Sequence, residues 1–157
     1  MVFKLFILFY YSKNVMLKNY LFWLKLATFF QLFTCLVHSS NFFIIPEPQN
    51  ETEKQLLELM TTYKPDMGAG FNPSTDDLFT SMSVCFSLFC LFGGLINWYL
   101  IKKKPEIAIF KAFITISLII FGGCFAIMLA FTFLPPIICT GLIFLSLVLS
   151  RLTIPKQ

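Results

Sequence analysis

The sequence predicts an all-α protein: an integral membrane four-helix transmembrane bundle with a short amphipathic helix in its outer loop. Three observations predict it. Of the 157 residues, 57% are hydrophobic and 13% are charged, where a soluble domain carries about 25% charged residues. Four apolar stretches are each near the roughly 20 residues that a helix needs to cross a bilayer. The charges are also sorted along the chain: seven of the eight acids and only two of the twelve cations fall in residues 46–77. So apolar a chain excludes a soluble globular enzyme, a disordered regulator and a disulfide-stapled secreted module.

The chain reads as one membrane domain over residues 16–157, with residues 1–15 as an N-terminal extension. Met1–Tyr11 is apolar with one lysine, is too short to span, and lacks the small-residue cleavage site of a signal peptide. Met16-Leu17-Lys18-Asn19 is the more natural start, a short interfacial helix being the other reading.

The first span is expected over Tyr20–Ile45. It is the most polar of the four, because it contains Lys25 and His38. Near the end of the span, the long stem of Lys25 can reach the headgroups. Pro46–Asp77 follows and is the one connection long enough to hold structure in water. Within it, Asn50 can cap a helix and Glu53 stands three residues on, as in a capping box. Leu56, Leu59, Met60 and Tyr63 then recur at helical spacing, which predicts an amphipathic helix over Glu51–Tyr63. Such a helix would lie on the outer membrane surface or across the mouth of the bundle. Lys64-Pro65 stops it, Gly68-Ala69-Gly70 turns the chain, and Ser74 or Thr75 can cap the next helix. Asp76 and Asp77 would sit favourably in that helix's first turn.

The second span is expected over Leu78–Ile101 and ends in a charged turn, Lys102-Lys103-Lys104-Pro105-Glu106. The third covers Ile107–Phe133 and the fourth Leu134–Leu152. Pro135-Pro136 at the start of the fourth suits a first helical turn, where the missing N–H has no partner to lose. Basic residues stay on the cytoplasmic side of short loops. Four spans with both termini cytoplasmic put ten cations inside and Pro46–Asp77 outside. The net charge of +4 is thus a signal of topology and gives no reason to expect a nucleic-acid partner.

Polar groups within spans are the candidates for function. Thr28, Gln31, Cys35 and His38 follow one another at steps of three, four and three, on one helix face. Ser83, Ser87, Cys90, Gly94 and Asn97 form a similar stripe on the second span. On the third, Thr115, Gly122, Ala126 and Ala130 suggest a packing face of small residues, and Gly93-Gly94 and Gly122-Gly123 suggest bends. The candidate functional residues are therefore His38, Gln31, Asn97, Asp76 and Asp77. His38 is the sharpest of them, because imidazole titrates near neutral pH and the acids of the outer loop are potential partners.

No catalytic residue, cofactor or metal site is expected. Cys35, Cys85, Cys90, Cys124 and Cys139 form no C-x-x-C pair and read as small apolar residues. Gly68-Ala69-Gly70 lacks the third glycine and the preceding strand of a dinucleotide fingerprint. Asn50-Glu51-Thr52 matches a glycosylation acceptor, a triplet that also occurs by chance.

Val37-His38-Ser39 closing the first span, the acidic amphipathic segment Glu53–Met60, and Gly93-Gly94-Leu95-Ile96-Asn97 closing the second resemble a pattern in a group of small bacterial four-helix integral membrane proteins. The resemblance covers Met16–Ile154. It implies a compact bundle in a bacterial inner membrane and supplies no activity. In outline only, the architecture is similar to DoxX-like proteins, some of them linked to membrane redox chemistry.

Three functions are compatible with this. The first is a non-enzymatic accessory, scaffold or interaction protein, with the lipid bilayer and membrane proteins or a homo-oligomer as partners. The second is a quinone- or redox-linked protein with a polar pocket around His38 and Gln31. The third is a small oligomeric permease or channel.

Overall fold

The computed structural model describes residues 19–43 and 47–155. The expected N-terminal extension lies outside them, as does the end predicted for the first span. The described residues form five α-helices: α1 over Tyr20–Ser40, α2 over Glu51–Thr62, α3 over Thr75–Lys103, α4 over Ile107–Phe131 and α5 over Leu134–Thr153. No strand occurs among them. α1, α3, α4 and α5 are long and apolar enough to cross a membrane, which makes this a multi-pass membrane protein.

Helix ends follow local chemistry. α1 stops at Ser40 and tightens into a 3-10 turn over Asn41–Phe43, earlier than the apolar run suggested. Ser40 Oγ donates to the carbonyl of Val37 at 2.6 Å, the kind of side-chain bond that competes with the helix ladder. α2 starts where expected: Asn50 Oδ1 accepts from Glu53 N at 2.9 Å. The return bond of the box goes to Gln49 N, which donates to Glu53 Oε2 at 2.6 Å.

α3 begins three residues before the apolar run, because Ser74 and Asp77 cap it reciprocally. Asp77 N donates to Ser74 Oγ at 3.1 Å, while Ser74 N and Oγ donate to Asp77 Oδ2 at 2.9 and 2.8 Å. At the other end Lys104 takes a left-handed φ of 48° and donates its N–H to the carbonyl of Leu100 at 2.9 Å. Pro105 follows, and together they stop the helix. Only Thr132 and Phe133 separate α4 from α5, so these helices form a hairpin and pack against each other.

The described residues divide into two compact units, 19–33 with 91–155, and 34–43 with 47–90. In the first, the described parts of α1 and α3 join α4 and α5 around a core of Leu24, Phe110, Ile114, Phe121, Ile143 and Leu147. Tyr20 of α1 stacks edge-on against Phe110 of α4, with ring centroids 5.5 Å apart. Ser150 Oγ of α5 donates to the carbonyl of Tyr20 at 2.9 Å. Arg151 Nε donates to Thr115 Oγ1 of α4 at 3.0 Å, and Thr115 passes its own proton to the carbonyl of Lys111 at 2.7 Å. Helix association in lipid depends on packing and such bonds, because hydrocarbon solvates apolar side chains as well as a protein core does.

The face of α4 differs from expectation. Gly122 is half-buried under the ring of Phe144, but Ala126 and Ala130 are exposed, and the buried positions are Phe110, Ile114 and Phe121. A helix apolar on all sides has no periodicity from which to read its inner face.

The second unit holds the end of α1, α2 and the first half of α3. No residue of α2 is buried. After α2, Gly68, Ala69 and Gly70 take positive φ values of 85°, 53° and 82°. Phe71 N donates to Gly68 O and Met67 N to Phe71 O, both at 3.0 Å.

Candidate functional site

Gln31 and Asn97 meet in the first unit. Each is set by its stripe: Leu24, Ala27, Thr28 and Gln31 form the buried edge of α1, and Gly94, Asn97 and Leu100 that of α3. The two amides are 0% and 1% exposed. Asn97 Nδ2 donates to Gln31 Oε1 at 2.9 Å, a bond between residues 66 apart in sequence. Gln31 Nε2 is buried and has no hydrogen-bond partner among the described residues.

The Gly93-Gly94 pair makes room for this contact. A Cβ at Gly93 would lie 2.8 Å from Gln31 Nε2 and 3.2 Å from two carbons of the Phe121 ring. A Cβ at Gly94 would lie 2.7 Å from Leu32 Cδ2. Here the glycines permit close approach, and α3 runs on as one helix through both. Thr28 Oγ1 is occupied locally, donating to the carbonyl of Leu24 at 2.8 Å.

His38, in the second unit, sits differently. It is half-buried, with its ring edge-on to Phe86 at 5.2 Å and to Phe42 at 6.1 Å. Among the described residues it makes no ion pair; the one present joins Lys54 to Glu51 at 3.6 Å. Asp77, one of the acids expected near it, holds its carboxylate on Ser74. Asp76 is exposed in the same first turn. In the same unit Thr34 and Ser87 are buried with hydroxyls that find no partner among the described residues.

The five sequence candidates thus separate into three places: an amide pair, a histidine between rings, and a helix cap. Sequence reasoning did not single out Arg151 and Ser150, which join α5 to α4 and α1. Their signal was present, as a charged and a hydroxyl residue adjacent near the end of a span. None of the five cysteines is in a disulfide. No group of three His, Cys, Asp or Glu side chains converges as a metal site among the described residues.

No family model, curated protein or solved structure matches this chain. The motif resemblance to small four-helix membrane proteins therefore brings no residue roles with it.

Proposed function

We propose that this chain is a non-enzymatic membrane scaffold or partner subunit of a bacterial cytoplasmic membrane, with both termini cytoplasmic and residues 46–77 outside. The observation that carries this reading is the use of the polar side chains in the first unit. Gln31 bonds Asn97, Ser150 bonds the backbone at Tyr20, and Arg151 bonds Thr115. Each joins two helices where it stands, as expected of a bundle built to hold its shape. The sorting of acids into residues 46–77 supports the orientation. It also leaves an acidic segment free to meet a membrane-protein partner or a second copy.

Gentle purification from native membranes, followed by mass spectrometry of bound proteins, lipids and quinones, tests the reading. A stoichiometric protein partner lost on Glu51→Gln with Glu58→Gln would support it. A stoichiometric quinone would overturn it in favour of the redox-linked reading, on whose side stands one observation, the unbonded Nε2 of Gln31. A ring-shaped oligomer conducting a solute would favour the permease. The orientation has its own test: a membrane-impermeant thiol reagent should label Thr61→Cys on intact cells. Labelling only after lysis would invert the topology.

A further inference from the structure

We propose that α2 is an interfacial helix whose apolar face is covered by the bilayer itself, at the boundary between headgroups and acyl chains. The helix is strongly two-sided. Leu56, Leu59, Met60 and Tyr63 share one face at steps of three and four, while Glu51, Lys54, Glu58 and Thr62 occupy the other. Its twelve residues are too few to span. Most of the apolar face is open: Leu56, Leu59 and Tyr63 are 54%, 60% and 59% exposed, with Met60 half-buried among them.

Two features identify lipid as the cover. The first is continuity. In the same unit, the end of α1 exposes Phe42 and Phe43, and the start of α3 exposes Leu78, Phe79 and Met82. Leu78, Phe79 and Met82 belong to a membrane-crossing helix, Phe42 and Phe43 to the 3-10 turn that follows one, and aromatic residues at span ends favour the headgroup level. Phe71, 70% exposed on the connection from α2 to α3, extends the same apolar surface. The second is reach. Ten residues, 41–50, join α1 to α2 and extend no more than about 35 Å, which tethers α2 to the end of the first span. An amphipathic helix held there buries its apolar face roughly 5 to 10 Å below the headgroups. The acids on the opposite face select a zwitterionic rather than an anionic surface. The inference goes beyond the scaffold reading and holds whichever side of the membrane residues 46–77 occupy.

The test uses the full chain in phosphatidylcholine vesicles, with Trp23→Phe and Trp98→Phe to silence the native fluorophores. Leu59→Trp reports on the apolar face and Glu58→Trp on the polar one. Emission from Leu59→Trp should be lost mainly to lipid brominated near the top of its acyl chains and be shielded from aqueous acrylamide. Glu58→Trp should show the reverse. If acrylamide reaches both and brominated lipid neither, the face is in water and the proposal fails. If neither quencher reaches Leu59→Trp, protein covers the face, whether a second copy or a partner, and the proposal also fails. Should the tryptophan background insert poorly, a nitroxide on Leu56→Cys, in a chain with Cys85→Ala, gives the same decision. Greater accessibility to oxygen than to a water-soluble nickel chelate supports the interfacial helix, and the opposite order overturns it.

Discussion

Gln31 and His38 lie on one stripe of α1, yet their surroundings have little in common. Gln31 is fully buried and shares a hydrogen bond with a second amide. His38 is half-buried and packs its ring against two phenylalanines. The difference follows from what each side chain offers. A carboxamide carries donors and an acceptor in one plane, so two amides can serve each other where water is absent. An imidazole is also a flat ring, and edge-on contact with aromatic faces gives it a place without a charged partner. A polar stripe on a membrane helix is therefore not a single site.

The largest effect should come from breaking the amide contact by volume. Gly93→Val places carbons where Gln31 Nε2 and the Phe121 ring now sit. Overpacking of this kind costs about 1 to 3 kcal/mol. Reversible unfolding in mixed micelles should show that loss, while Gly123→Val, with no atoms within 4 Å of its Cβ position, should show little.

Removing one amide should cost less. Asn97→Leu leaves the buried Gln31 without its donor, at about 1 to 2 kcal/mol. Adding Gln31→Leu should recover part of it, because two apolar groups leave nothing unsatisfied. A double-mutant cycle should give a coupling of about 0.6 kcal/mol. Zero coupling would mean that the bond contributes nothing to the bundle.

At His38 the ranking of substitutions is informative. His38→Phe should keep the edge-on contacts and stay near wild type, whereas His38→Ala should lose about 0.5 to 1.5 kcal/mol. His38→Gln should resemble His38→Ala. If glutamine rescued better than phenylalanine, hydrogen bonding rather than ring packing would hold the residue.

The smallest expected effect is an absence of coupling. Asp77→Asn should weaken the α3 cap slightly, because the amide keeps an acceptor for Ser74 but loses the charge. Combined with His38→Phe, the two losses should add within about 0.5 kcal/mol. A larger interaction would restore the histidine–carboxylate pair that the sequence suggested.

Much of this architecture was legible before any coordinates. The apolar runs gave the four spans, the Asn50–Glu53 spacing foretold one cap, and Ser74 was one of two residues expected to cap α3, though its reciprocal bond with Asp77 was not read. The end of α1 was less legible, because apolar residues continue past Ser40 while the chain tightens there into a 3-10 turn. The inner face of α4 was misread, since small residues permit close packing without requiring it. Gln31 and Asn97 each stood out as an amide in a hydrocarbon stretch. That they face one another could not be read, because a partner 66 residues away depends on how the helices are arranged in space.

The hairpin of α4 and α5 has a consequence for how the protein is assembled. Two connecting residues leave almost no loop to close, so the chain entropy lost on pairing these helices is small. Contacts so near in sequence form early. The bond between Gln31 and Asn97 requires α1 to wait until Asn97, 66 residues further on, is synthesised and α3 enters the bilayer. During that interval the amide of Gln31 has no partner from α3, so a nascent chain halted before Asn97 should be the species most dependent on insertion factors. The last two helices, by contrast, should enter the membrane together as a single unit.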